Sequence, residues 1–120
     1  VEIYKTFNFE AAHRLPNVAE GHQDSGIHGH SYRFEIWLQG PVGDVSGWVM
    51  DFGDVKAEVG PIIAQLDHRY LNDIEGLFNP TSENLARWLW TEFQSLLPLM
   101  HKVVVHETCT SGCVYQGKEN

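Results

Sequence analysis

The first thirteen residues alternate so regularly that an extended strand is the conformation that satisfies them. Val1, Ile3, Phe7, Phe9, Ala11 and His13 share one side, and Glu2, Tyr4, Thr6, Asn8 and Glu10 share the other; Lys5 interrupts the apolar side. A second alternating run predicts a strand over 30–39, with His30, Tyr32, Phe34, Ile36 and Leu38 on one face. Residues 15–29, rich in Gly, Pro, Asp, Asn and Ser, read as the loop between them.

The period then changes. Val55, Val59, Ile62, Ile63 and Leu66 recur at helical spacing, and Gly60-Pro61 is expected to weaken or kink that helix in its middle. A second helix opens at Asn79-Pro80-Thr81-Ser82-Glu83, which supplies cap residues, an early proline and an early acid. Leu85, Trp88, Leu89, Phe93 and Leu96 form its apolar stripe, and Pro98 ends it. Trp88 and Trp90 cannot both face the core. Residues 102–109 and 113–117 flank Thr110-Ser111-Gly112 as a hairpin. The order strand, strand, helix, helix, strand, strand describes one α+β domain, residues 1–120, with both helices on one sheet face. The other face and the sheet edges are left open, and self-association into a larger sheet or barrel would cover them.

A net charge of −8 argues against nucleic acid or an anionic membrane as partner. No apolar run reaches transmembrane length, and the start shows no signal-peptide pattern. Cys109 and Cys113 straddle a turn and make no disulfide framework, which points to the reducing cytoplasm.

Histidine is the residue type that suggests chemistry. Of seven, His22, His28 and His30 fall close together. His28 and His30 are two apart and point to one face of a strand, while His13 ends the first strand on its apolar side. If the two strands pair, three imidazoles converge with a fourth position open, which is a catalytic zinc arrangement. The alternative is three ordinary surface histidines. Zinc is favoured over iron because no carboxylate completes a facial triad. His22 is open to three readings: a fourth ligand, a group supporting the ligands, or a surface residue.

Other residues carry paired readings. Asp67-His68 is either an oriented acid/base pair or a chance neighbour pair in a loop. Glu107 shares a predicted strand face with Val103, Val105 and Cys109, where an unpaired carboxylate would be costly. A heterocycle edge with two N–H donors would meet it with two parallel hydrogen bonds; if the alternation is misread, Glu107 simply faces solvent. Cys109 and Cys113 are a metal pair or small turn residues. Lys5, Arg14, Arg33 and Lys118 meet phosphate charge or are solvated.

Five separated motifs add a resemblance. Phe9-Glu10-Ala11-Ala12-His13-Arg14-Leu15, His28-Gly29-His30-Ser31, Leu66-Asp67-His68-Arg69-Tyr70-Leu71-Asn72, Asn79-Pro80-Thr81-Ser82-Glu83-Asn84-Leu85 and Glu107-Thr108-Cys109 together resemble the 6-pyruvoyl-tetrahydropterin synthase family. Within it the chain is most similar to the bacterial branch that makes 6-carboxy-5,6,7,8-tetrahydropterin for queuosine biosynthesis. The resemblance implies a tunnelling fold: ββααββ subunits, each with an antiparallel four-stranded sheet and two helices on one face, joined into an oligomeric barrel. Such homo-oligomers are commonly trimers stacked as hexamers, with active sites between subunits. It also implies that His13, His28 and His30 hold Zn2+, that Glu107 anchors the pterin ring, and that Thr81, Ser82 and Thr108 lie near its pocket. Asp67 and His68 match two members of a catalytic triad.

The implied substrate is 7,8-dihydroneopterin triphosphate, which loses triphosphate and, in the carboxy-forming branch, acetaldehyde. The alternatives are a 6-pyruvoyl product, cleavage to 6-hydroxymethyl-dihydropterin, or pterin binding with little turnover. The chain departs from the family in the loop. The third catalytic residue of the family, a cysteine four positions before His28, is Asp24 here, and the glutamate that another branch carries one position later is Ser25. Asp24 is expected to replace the cysteine as base. An unperturbed aspartate titrates at about 3.9 against about 8.5 for a thiol, so it is ionised at neutral pH and is a weaker base unless buried.

Overall fold

The two alternating runs pair with each other. In the computed structural model, which describes residues 1–119, β1 (Glu2–His13) and β2 (His28–Gln39) form an antiparallel ladder from Glu2 opposite Gln39 to His13 opposite His28. β2 therefore begins two residues before the run predicted from alternation and includes His28. The apolar face of the pair carries Phe7, Phe9 and Ala11 from β1 and Tyr32, Phe34, Ile36 and Leu38 from β2, all buried.

Two helices cover that face. α1 (Phe52–Leu66) buries Val55, Val59, Ile62 and Leu66, spaced to form one stripe. It runs through Pro61 because Gly60 and Pro61 lie on the exposed side, where solvent reaches the carbonyl that loses its helical partner. α2 (Ser82–Phe93) starts where its cap residues predict: the Thr81 side chain accepts from the Asn84 N–H at 3.1 Å. The helix ends at Phe93, earlier than Pro98, and Leu97, not the exposed Leu96, enters the core. Trp88 is the buried tryptophan of the pair; Trp90 is half-buried and meets Tyr115 edge-on at 5.8 Å.

The sheet corrects the expectation of four antiparallel strands closed into a barrel. It is an open, mixed, five-stranded sheet in the order β3-β1-β2-β4-β5, where β3 is Arg69–Tyr70, β4 is Met100–His106 and β5 is Gly112–Tyr115. β3 pairs in parallel with β1 through Ala11 opposite Arg69 and Ala12 opposite Tyr70. Two residues carry no readable periodicity, which is why the sequence hides this strand. β3 and β5 are the two free edges, so the sheet is not closed on itself.

The hairpin is also shorter than predicted. β4 stops at His106, and the Glu107 and Thr108 N–H groups both donate to the Ser111 carbonyl, at 2.9 and 3.1 Å, closing the turn. Among the described residues, no helix is long and apolar enough to cross a membrane.

Candidate metal centre

Register places the histidines. His13 and His28 are direct cross-strand partners at the end of the ladder, and His30 pairs with Ala11, two residues along the same face. The three rings form a near-equilateral triangle: centroids are 4.6 Å apart for His13–His28 and His28–His30, and 4.9 Å for His13–His30. Each ring offers a ligand nitrogen within 4.8 Å of the others.

Two backbone carbonyls fix the protons. His13 Nδ1 lies 2.9 Å from the Pro80 carbonyl, and His28 Nδ1 lies 2.8 Å from the Gly26 carbonyl. A carbonyl only accepts, so each Nδ1 carries a proton, and in the neutral ring, the form that binds metal, each Nε2 is then bare. Those two bare nitrogens face one another at 3.0 Å. Two lone pairs in that position call for a cation between them. A tetrahedral ion with bonds of about 2.0–2.1 Å separates its ligand nitrogens by roughly 3.3 Å, so the residues fit a zinc-sized metal. Burial lowers the pKa of His13, with the other two histidines adding to that effect and the Pro80 and Asp24 contacts opposing it. The neutral form that a metal needs is thereby favoured.

The other sequence-derived residues lie around this triangle. Asp24 sits in the short helical turn Gln23–Ser25, with Oδ1 3.8 Å from His28 Nε2. His22 caps that turn: its Nδ1 accepts the Asp24 N–H at 3.0 Å. Ser25 contributes its carbonyl, which accepts from Arg14 Nε at 3.1 Å. Glu107 is exposed and beyond the end of β4, not buried on an apolar strand face, and the Ser82 hydroxyl donates to its Oε2. Glu107, Thr81 and Ser82 line a cavity of about 380 Å³ that reaches His13. Thr108 lines a neighbouring hollow with Arg33, His106 and Glu107.

Asp67 and His68 stand elsewhere. Their side chains pair at 3.1 Å, and Asp67 Oδ1 accepts the Glu10 N–H at 2.9 Å. That hydrogen bond is the largest influence and lowers the Asp67 pKa; desolvation opposes it, and the His68 contacts lower it further. His68 holds a left-handed backbone, φ 59°, which costs a non-glycine residue about 1–2 kcal/mol. With His30, Ser31 and Tyr70 it lines a groove of about 590 Å³, separate from Glu107's cavity. Within one chain the pair and Glu107 do not share a cavity.

Sequence reasoning missed the two carbonyls that orient His13 and His28, because backbone acceptors leave no trace in residue type. It also passed over Tyr32, although Tyr32 is the next residue on the His28–His30 face. Its hydroxyl is buried without a hydrogen-bond partner among the described residues, and it lines a small hollow with His13, His30 and Glu107. Burial, reinforced by the charge of Glu107, pushes its pKa well above the ordinary tyrosine value. Cys109 and Cys113 are both free thiols, and the metal cluster does not include them.

The chain is similar to known proteins along almost its whole length. Residues 2–118 match the family model described as 6-pyruvoyl tetrahydropterin synthase. A 6-carboxy-5,6,7,8-tetrahydropterin synthase of Synechocystis is 44% identical over 119 residues, covering 94% of this chain and 91% of the relative. A dihydroneopterin monophosphate aldolase of Pyrococcus furiosus is 36% identical over 96 residues, covering 80% and 76%. The solved structure of the Caenorhabditis elegans 6-pyruvoyl tetrahydropterin synthase superposes with a TM-score of 0.88 at 30% identity, covering 98% of this chain and 96% of that one. With its histidine triangle and with the family model matched almost from end to end, the chain belongs to the 6-pyruvoyl tetrahydropterin synthase family.

Proposed function

We propose that this chain is a zinc-dependent enzyme acting on the side chain of 7,8-dihydroneopterin triphosphate. The observation that carries the reading is the pair of bare Nε2 atoms of His13 and His28 at 3.0 Å, with a carboxylate, Asp24, beside them. Zinc, when bound, supplies a Lewis acid that polarises side-chain oxygens and eases loss of the neighbouring C–H proton. Asp24 accepts that proton. Glu107 hydrogen-bonds the N–H edge of the pterin, with Thr81, Ser82 and Thr108 around the ring. Asp67 orients His68, which returns a proton to the substrate.

Because His68 and Glu107 open into different cavities of one chain, a complete site is built from two copies. This supports a homo-oligomer, a trimer or hexamer, with sites between subunits. The two free cysteines support a cytoplasmic location.

Two products have separate support. The family model and the nematode structure carry the name 6-pyruvoyl tetrahydropterin synthase, which supports triphosphate elimination to a 6-pyruvoyl product. The Synechocystis relative supports further cleavage to 6-carboxy-tetrahydropterin and acetaldehyde, a product that would place the chain in queuosine biosynthesis. Mass spectrometry of the product from zinc-replete protein separates these from a hydroxymethyl-pterin. Metal-replete protein that releases no triphosphate from 7,8-dihydroneopterin triphosphate would overturn the reading.

A further inference from the structure

On the sheet face that the helices leave uncovered, one half-buried carboxylate has both of its oxygens bonded. Glu35 alternates with the buried Phe34 and Ile36, so it points away from the core. Its Oε1 accepts from Trp37 Nε1 at 2.8 Å, and its Oε2 accepts from His106 Nε2 at 2.6 Å. The other ring nitrogen of His106 is occupied too: Arg33 donates to Nδ1 at 3.3 Å. A guanidinium only donates, so Nδ1 is the acceptor and the His106 proton sits on Nε2, toward Glu35. Desolvation pushes the Glu35 pKa up, but the bonds from His106 and Trp37, with the charges of His106 and Arg33, outweigh it and leave the carboxyl below its ordinary range. The Trp37 ring is itself held, stacked on Tyr4 at 4.7 Å with Lys102 Nζ over it at 4.0 Å. No step of the reaction proposed above uses this chain of contacts.

The chain ends at Glu107. His106 pairs with Arg33 on one side and Gly112 on the other, and β4 stops there. Consecutive strand residues point to opposite faces, yet His106 and Glu107 line the same two hollows, one with His13, His30 and Tyr32 and one with Arg33 and Thr108. Alternation stops at His106. Glu107 belongs to the turn closed on the Ser111 carbonyl, and its carboxylate reaches round the sheet end to the Ser82 hydroxyl at the start of α2. His106 is therefore the pivot from which that carboxylate is aimed. Strand ends open more readily than strand centres, and Glu35 and Arg33 pin this one from β2.

We infer that Glu35, His106 and Arg33 form a positioning clamp for Glu107, fixing how its carboxylate meets the N–H edge of a pterin. The inference rests on the reading of Glu107 as the ring anchor and deepens it. Two parallel hydrogen bonds demand that carboxylate and ring share a plane, and a misplacement of about 1 Å can cost about 10²-fold. Ser82 holds the tip of the Glu107 side chain, and the clamp holds its root.

The test measures 7,8-dihydroneopterin binding by fluorescence, zinc affinity by chelator competition and folding by circular dichroism. It uses zinc-loaded parent, Glu35→Gln, His106→Ala and His106→Gln proteins. Glutamine at 35 keeps the volume but turns an amide N–H2 toward one of two donors. Glutamine at 106 supplies an N–H for Glu35 and a carbonyl for Arg33, so it should restore what alanine removes. The expected result is pterin binding weakened about tenfold in Glu35→Gln and His106→Ala. His106→Gln should stay close to the parent, and zinc affinity should hold in all three. With 7,8-dihydroneopterin triphosphate, KM should rise in the two weakened variants with a smaller effect on kcat. Glu35→Gln, equal in size to the parent residue, keeps the test open if His106→Ala fails to fold. Parent-like pterin binding in Glu35→Gln and His106→Ala would overturn the inference. So would a His106→Gln protein as weak as His106→Ala, or a parallel loss of zinc affinity. Glu107→Ala separates the two readings. Unchanged pterin binding there removes the anchor and the clamp with it; lost binding there, beside parent-like Glu35→Gln and His106→Ala, removes the clamp alone.

Discussion

The backbone N–H of Glu10 donates to Asp67 Oδ1 at 2.9 Å, so the strand that ends in the metal ligand His13 also holds the Asp67–His68 pair. The bond to Glu10 is reinforced by His68, whose own N–H donates to the Glu10 carbonyl. The pair is therefore registered against β1 and not left to a mobile loop.

Replacing Asp67 with Ala should cost turnover without costing metal. The His68 ring loses the carboxylate that orients it, and general acid/base catalysis of this kind contributes about 10²–10⁴-fold. Zinc content and the Co2+ spectrum should match the parent, since the pair does not touch the triangle. Parent-like kcat in Asp67→Ala would remove the pair from the mechanism.

His68→Gly gives the complementary outcome. Glycine adopts φ 59° freely, so the change should stabilise the fold by about 1 kcal/mol while turnover falls. Thermal melting reads the first effect and a triphosphate-release assay the second. A melting temperature that drops would mean that the Asp67–His68 contact outweighs the backbone strain.

The start of α2 is coupled to the metal through a single carbonyl. Pro80 accepts from His13 Nδ1, and the segment holding it is fixed by Thr81 at the cap and by Asn84 Nδ2, which donates to the Asn79 carbonyl at 2.8 Å. Thr81→Ala should lower stability by about 1 kcal/mol. Asn84→Ala should weaken zinc binding by about 10- to 100-fold, the range seen when a partner of a ligating histidine is disturbed. Chelator competition decides; unchanged affinity would make this segment a structural cap alone.

These couplings mark where the sequence stops being readable. Alternation revealed β1 and β2, and it put His28, His30 and His13 on converging faces, because a two-residue period leaves side chains no choice. It extended β4 too far, through Glu107, since a turn that bonds two N–H groups to the Ser111 carbonyl imitates a strand in composition. It missed β3 because two residues carry no period. It could not see that Pro80 and Gly26 act through their carbonyls, or that His68 and Glu107 line different cavities, since both depend on tertiary position.

Acid should disable the metal centre before it unfolds the rest. Burial lowers the pKa of His13 from 6.5, so the neutral ring is the folded form. Above pH 6.5 neither folded nor unfolded chain protonates this residue, and its contribution to stability is complete. As pH falls below 6.5 the unfolded chain takes up the proton first, and stability declines until the lowered folded value is passed. Zinc affinity should fall as the pH drops below the lowered folded value, because ligands must be deprotonated. Metal titrations on parent and His13→Ala proteins test this; equal zinc affinity in the two would exclude His13 as a ligand.

Tyr32→Phe should separate packing from polarity beside the triangle. The ring stacks on Phe9 at 4.9 Å, and phenylalanine keeps that contact. The buried hydroxyl has no partner among the described residues, so its loss should leave the metal-free protein as stable or more stable, by roughly 1 kcal/mol. A clear loss of stability would show that the hydroxyl is bonded in solution.

The position of His13 and His28 at the mouth of the β1–β2 ladder has a consequence for the unfolded chain. A metal bridging them acts as a cross-link that encloses a loop of about 15 residues, for which chain-entropy reasoning gives about 3 kcal/mol. The segment fenced off in this way contains His22, Asp24 and Ser25. Metal loss would therefore release the restraint on the very stretch that carries the carboxylate, and susceptibility of that loop to proteases would become a measure of metal occupancy.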